Sequence, residues 1–233
     1  MIRFQNVSFW YEKDEPILSQ INLEFHPGLT MLLGPNGCGK STLLKLAAGV
    51  EKPDSGAIFI DGHDLWNEEI EARKGLAFVS EQPDLTPYAT LKEILNLVCR
   101  LRHEPLEKGR EALEFFDLQV LASRTVRELS LGQRRRAVFA AALIGQPGHI
   151  LLDEPLEGMD RKIKAEILAW TEQHLRAGAT MIVVSHVLEP FLQSVTRAIT
   201  VMDGSVAAIE ELPTNGEDRL DLLDKLAKGI PWQ

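Results

Sequence analysis

The chain is poor in cysteine, in positive charge and in long apolar runs, and each shortage excludes something. Two cysteines, Cys38 and Cys99, in 233 residues cannot build a disulfide framework, and both read as the reduced thiols of a cytosolic protein. The longest apolar run, 137–144, is far too short to span a bilayer, and Met1-Ile2-Arg3-Phe4-Gln5-Asn6 lacks the apolar core of a signal peptide. Lys and Arg number 25 against 34 Asp and Glu, a formal net charge of −9. That balance argues against a nucleic-acid partner, because proteins that track phosphates show a basic stripe. The one basic run, Arg134-Arg135-Arg136, reads as a solvated helix face. There is no Asn-Lys-x-Asp motif for reading guanine, no heptad stretch, no internal repeat and no low-complexity tract. His63, His103, His149 and His174 lack metal-ligand spacing and read as surface or packed histidines. What remains, 45% hydrophobic and 25% charged residues, is the composition of a soluble globular protein.

Against that background one stretch stands out. Gly34-Pro35-Asn36-Gly37-Cys38-Gly39-Lys40-Ser41 fits the phosphate-binding pattern G-x-x-x-x-G-K-[ST]. The apolar run 29–33 before it reads as a strand. The segment 42–48 after it reads as a helix start with Leu43, Leu46 and Ala47 on one face. Such a pattern arises by accident in about 1% of chains this long, given Gly near 7% of residues, and the flanking elements lower that further. Strand, glycine turn and helix aim backbone N–H groups and the positive end of a helix dipole at one point. Lys40 would reach the β- and γ-phosphates of a nucleotide, and the Ser41 hydroxyl would hold Mg²⁺. Cys38 reads as a small residue in a tight loop whose thiol the helix N-terminus could activate.

Along the chain, alternation predicts strands over 2–7 and 17–25 with a polar turn at 12–16. A turn at 52–56, a strand at 57–60, a turn at 61–64 and a strand at 75–80 follow. From about 84 to 145 the character is all helical: Leu91, Ile94, Leu95, Val98 and Leu101 hold helical spacing. Ala112, Leu113, Phe115 and Phe116 suggest a second helix, and 137–144 a third. Strand–helix alternation then resumes with strands at 150–152, 180–184 and 198–202, the last taken as the final core strand, and helices at 161–176 and 187–195. A short amphipathic helix over 217–228 closes the chain. Alternation of this kind predicts a parallel α/β core.

Two further motifs carry chemistry. His149-Ile150-Leu151-Leu152-Asp153-Glu154 is an apolar strand ending in two carboxylates. In a parallel sheet that end sits beside the phosphate loop, where Asp153 can bind Mg²⁺ through water and Glu154 can polarise an attacking water. Leu129-Ser130-Leu131-Gly132-Gln133 opens a helix with Ser130 near its start, a second anion-binding tip. Two such tips cannot easily grip one phosphate unless two chains meet.

Together these residues resemble the nucleotide-binding subunit of an ATP-binding cassette (ABC) transporter. Order and spacing agree as well as type: Ser130 precedes Asp153 by 23 residues and His186 follows Glu154 by 32. The 129–133 segment is similar to the family signature Leu-Ser-Gly-Gly-Gln with Leu131 replacing the first glycine, and Glu157-Gly158-Met159-Asp160 falls at the family's D-loop. His186 fits the switch histidine, and Tyr11 the aromatic that stacks on adenine, with Phe9 on the same face as an alternative and Trp10 the least suitable of the three.

The resemblance implies one ATPase domain spanning 1–233, with a P-loop (RecA-like) α/β core, an N-terminal antiparallel β subdomain, and an α-helical subdomain inserted at about 84–145. It implies ATP and Mg²⁺ as cofactors. Asn36, Gly37, Cys38, Gly39, Lys40, Ser41 and Thr42 would cradle the phosphates. Ser41, Asp153 and a glutamine taken as Gln82, with Glu81 as the alternative register, would serve the metal. Glu154 would be the general base, assisted by His186, Lys40 and Gln82. Ser130, Gly132 and Gln133 of a second cassette chain would complete each ATP site, and Asp160 would link the two sites. It further implies a transmembrane permease subunit, with the chain peripheral on the inner face of the cell membrane. The apolar face 91–101 would serve first as core and then as a groove for a short helix of that permease. The Glu81-Gln82-Pro83 pattern and the absence of a large C-terminal regulatory domain lean toward exporter-type relatives.

Overall fold

The computed structural model describes residues 1–230 except Asp14, Asp84 and Glu210. Asp14 of the expected 12–16 turn and Asp84 at the expected start of the helical segment therefore lie outside the described residues.

Period-two alternation builds the first layer. β1 (Ile2–Phe9) and β2 (Leu18–Phe25) pair antiparallel and bury Ile2, Phe4, Val7, Phe9, Leu18, Ile21, Leu23 and Phe25, the one-face pattern that a half-covered strand requires. β3 (Gly28–Leu33) runs into the glycine turn and α1 (Lys40–Ala47). β4 (Ser55–Ile60) and the two-residue β5 (His63–Asp64) return to the first layer, giving the antiparallel order β2-β1-β4-β5. α2 (Glu69–Arg73) then leads to β6 (Leu76–Val79).

Three helices follow: α3 (Leu91–Leu101), α4 (Leu106–Phe115) and α5 (Leu131–Leu143). α3 starts at a capping box in which the Glu93 N–H donates to Thr90 Oγ1 and the Thr90 N–H to Glu93, a strong local stop-and-start mark. The chain returns to the core through β7 (His149–Asp153), α6 (Arg161–Arg176), β8 (Thr180–Val184), β9 (Val195–Met202), β10 (Ser205–Ile209) and α7 (Gly216–Ala227).

The second sheet has the order β10-β9-β3-β8-β7-β6. All its neighbours are parallel except β10, which pairs antiparallel with β9. β7 and β8 are buried at every position, as expected for strands covered on both faces. Alternate residues face different cores. Leu32, Leu151, Ile182 and Ile199 join α1 and the antiparallel sheet, whereas Met31, Leu152, Val183 and Ala198 join α5, α6 and α7. The C-terminal ends of β3, β7 and β8 consequently emerge side by side, the crevice where ligands of parallel sheets bind.

Two expected features differ. Residues 187–195 form no α-helix; a single 3₁₀ turn (Glu189–Phe191) carries Pro190 near its start. β9 begins at Val195, which pairs with Leu29, so too few residues remain for a longer helix. The strand at 198–202 is also not the last: Asp203 and Gly204, with φ of 49° and 72°, turn the chain into β10. That two-residue Asp-Gly turn is a hairpin signature. Past α7, Gly229 packs against the back of the glycine turn: a Cβ there would lie 3.3 Å from Pro35 Cδ.

Candidate phosphate-binding and catalytic site

A cleft of about 560 Å³ opens where β3, β7 and β8 end, lined by Asn36, Gly37, Gly39, Lys40, Ser41, Thr42, Glu81, Asp153, Glu154, Glu157 and His186, with Tyr11 at its rim. Its floor follows from the glycines. Gly34 has φ 138°, and a Cβ there would meet Val201 O at 2.3 Å, so no other residue fits. Gly39 caps α1 at φ 106°, in the left-handed region that favours glycine. No side chain caps α1, and its first N–H groups face the cleft as open donors.

Charged and polar side chains converge on this tip. Lys40 Nζ donates to the carbonyls of Gly34 (2.8 Å) and Pro35 (2.9 Å), which folds it back along the loop. Ser41 Oγ donates to Asp153 Oδ1 at 3.3 Å. Asp153 is 4% exposed. Burial pushes its carboxyl above the ordinary aspartate value, the Ser41 hydrogen bond opposes this, and the negative charge of Glu81 adds to the rise. Glu154 sits at φ 47°, a backbone region rarely used by residues with a side chain and often strained at functional sites. Its own N–H donates to Val184 O (2.9 Å), which anchors the turn to β8. Burial raises the Glu154 carboxyl, the His186 N–H pulls it down, and Asp153 pushes it up again. The His186 N–H donates to Glu154 Oε2 (3.2 Å), and His186 Nε2 stands 3.5 Å from Oε1. Oε1 is buried and accepts no hydrogen bond among the described residues.

Tyr11 Oη lies 3.5 Å from Thr42 Oγ1, and its ring meets Phe9 edge-on at 4.8 Å. Phe9 is buried beneath it, and neither Phe9 nor Trp10 lines the cleft among the described residues. Cys38 belongs to the loop through its backbone; its side chain packs on the apolar core beside Gly34.

The structure does not place Gln82 on this cleft. β6 pairs with β7 so that Val79 faces Leu152, and the chain leaves the sheet with Glu81 on the cleft wall beside Asp153. Gln82 lines only the adjoining groove between the core and α3 and α5. Of the two registers considered after β6, it is the carboxylate of Glu81 that lines the cleft. Glu157 is a second wall residue that sequence reasoning missed; only its place three residues past Glu154 hinted at it.

Ser130, Gly132, Gln133 and Asp160 lie away from the cleft. Ser130 caps α5: the Gln133 N–H donates to Ser130 Oγ (3.3 Å) and the Ser130 N–H to Gln133 Oε1 (2.9 Å). Leu131 is 60% exposed. Asp160 caps α6 by accepting from the Ile163 N–H (3.0 Å). The arginine run is not a solvated face. Arg134 donates to the carbonyls of Leu129 and Arg127, Arg135 to Glu157 and its carbonyl, and Arg136 to Phe116 O. Guanidinium forks are filling carbonyls that turns and helix ends leave open.

The donor set suits a hard cation. A hydroxyl and a buried carboxylate 3.3 Å apart are donor types that Mg²⁺ accepts, and Mg²⁺ keeps waters and phosphate oxygens for its other positions. Among the described residues no three His, Cys, Asp or Glu side chains could hold a metal unaided, so Ser41 and Asp153 fit a cation that arrives with phosphates. No helix among the described residues is long and apolar enough to cross a membrane.

Residues 18–157 match the family described as ABC transporter. A sulfate/thiosulfate import ATP-binding protein of Synechococcus elongatus is 37% identical over 78% of this chain and 54% of its own length. A putative ABC transporter ATP-binding protein of Pyrococcus horikoshii is 31% identical over 88% of this chain and 82% of its own. This chain spans 54–62% of the length of the first three import proteins it matches. Among solved structures, an ATP-binding subunit of an ABC transporter superposes with a TM-score of 0.83 at 23% identity, covering 97% of each chain. A dimeric ATP-binding cassette in a post-hydrolysis state, bound to ADP and phosphate, superposes with a TM-score of 0.78 at 26% identity, covering 90% of this chain and 98% of that one.

Proposed function

The chain belongs to the ABC transporter family as an ABC-type ATPase cassette, and on that premise we propose that it powers a separate transmembrane permease in the direction of import. The exporter leaning has no support among these relatives: the sulfate/thiosulfate proteins are import proteins by name, and the Pyrococcus protein's name gives no direction. The sulfate and thiosulfate in those names make oxyanions the first cargo to test.

The observation that carries this reading is a single cleft in which an uncapped helix tip, Lys40, Ser41 and Asp153 meet Glu154 and His186. ATP lies with its phosphates on the open N–H groups of α1, and Lys40 exchanges two backbone carbonyls for β- and γ-phosphate oxygens. Ser41 and Asp153 would hold Mg²⁺, which would supply charge neutralisation at the phosphates. Glu154 takes a proton from the attacking water. Burial raises its proton affinity above that of an ordinary glutamate, the direction a general base requires. His186, whose side chain is 65% exposed, is free to turn from Glu154 toward the γ-phosphate. Tyr11 offers its exposed ring to adenine.

A second ATPase chain, the same or different, supplies Ser130, Gly132 and Gln133 to the γ-phosphate, and Asp160 links the two sites. The support is that these residues are exposed or half-buried and stand off their own chain's cleft. We read the whole chain as one domain with the helices of about 84–145 inserted in its core, peripheral on the cytoplasmic membrane face, with no nucleic-acid partner.

Phosphate release from the purified chain with Mg-ATP, together with light scattering of Glu154→Gln at saturating ATP, tests this. Release from wild type and an ATP-dependent dimer of the variant are expected. A monomer that binds ATP yet never hydrolyses it would end the reading.

A further inference from the structure

Resting on the ATP-binding reading above, we propose that Glu81 makes this cleft accept nucleotide as its divalent-cation complex and reject the free nucleotide. Four carboxylates line the cleft, Glu81, Asp153, Glu154 and Glu157, against one lysine, Lys40. Three of them have partners. Asp153 accepts from Ser41, Glu154 accepts from the His186 N–H, and Glu157 is paired with Arg135 at 3.0 Å. The Glu81 carboxylate has no ion pair or hydrogen bond among the described residues, and it is exposed to the cleft on which the phosphates are read to bind. Glu81 and Asp153 also share the walls of two neighbouring cavities, so both charges act on the same small volume, where the field is less screened than in bulk water.

An amide at this position would leave that volume one charge less negative. A carboxylate repels a bare triphosphate, and it attracts the same triphosphate once a divalent cation rides on it. Mg²⁺ binds through one or two carboxylates plus phosphate oxygens, a demand that Asp153 and Glu81 meet from adjacent strand ends. Free ATP is therefore held off, and cation and nucleotide enter together.

The experiment is calorimetric titration of the full chain with ATP, once with excess Mg²⁺ and once with EDTA, on wild type, Glu81→Gln and Glu157→Gln. The ratio of the two dissociation constants should shrink by about tenfold in Glu81→Gln, the equivalent of ~1.4 kcal/mol, chiefly through tighter binding in EDTA. Glu157→Gln should change the ratio by no more than about twofold, because Arg135 already neutralises that charge. An unchanged ratio in Glu81→Gln, or an equal change in both variants, overturns the proposal while leaving the ATPase reading intact. A wild type that binds ATP under neither condition overturns both. Glu81 is exposed, so unfolding midpoints of the variants should match wild type.

Discussion

Two helices of this molecule point their N-termini at solvent-filled space, and they are finished in opposite ways. α1 begins after a left-handed glycine with no side chain on its open donors, at the bottom of a cleft. α5 begins with Ser130 and Gln133 bonded reciprocally, so its tip is satisfied in the isolated chain. Both tips carry the same partial positive charge. The difference is that α1 needs an external anion to satisfy it, whereas α5 has an internal substitute that a stronger anion must displace. In the dimer proposed above, the α1 tip would take the phosphates of its own chain's nucleotide and the α5 tip those of the partner's.

The largest effect expected comes from the α1 side. Glu154→Gln should slow phosphate release by about 10²–10⁴-fold with ATP still bound, measured by single-turnover hydrolysis beside a binding titration. Loss of binding in step with hydrolysis would mean that Glu154 shapes the cleft and is no base. Next, Lys40→Ala should weaken ATP binding by the single chain by about 10–100-fold, the worth of charged hydrogen bonds of ~1.5–3 kcal/mol, whereas Ser130→Ala should leave it within about twofold. Equal losses in the two variants would erase the contrast between the tips. Gly39→Ala forces a side chain to φ 106° and within 3.1 Å of Ile17 Cγ2, and should cost about 1–3 kcal/mol in denaturant unfolding. Ser130→Ala, losing only a cap, should cost ~1 kcal/mol.

The smallest effect is one of pH. Hydrogen bonds from the Thr125 hydroxyl and N–H hold Glu128, just before the α5 tip, below its ordinary value of 4.5. A carboxyl depressed in the folded state stabilises above its unfolded value, and that contribution is lost as pH falls through the folded one. Wild type should therefore lose stability faster than Glu128→Gln from about pH 4.5 downward, and parallel acid-unfolding curves would refute the assignment.

How far the sequence could be read follows from how local each feature is. The glycine turn, the acidic end of β7 and the serine before α5 are each written in a few consecutive residues, and each stands where reading placed it. Glu81 against Gln82 was not decidable, because the choice depends on where β6 stops pairing with β7, a contact across the sheet. The arginine run misled for a similar reason: its acceptors are carbonyls at Phe116, Arg127, Leu129 and Glu157, scattered along the chain and meeting only after folding. The β9–β10 hairpin is the opposite case: Asp203-Gly204 marks it locally, yet the expectation of a final core strand at 198–202 passed over it.

Gly229 lies so close behind the glycine turn that an added Cβ would stand 3.3 Å from Pro35 Cδ. α7 is fastened to the core by Leu222, Leu223 and Leu226, so the segment behind the glycine turn is held in place. A dye fixed at Ile230 would therefore sit behind the turn and outside the cleft, a position from which to test whether nucleotide moves this side of the molecule.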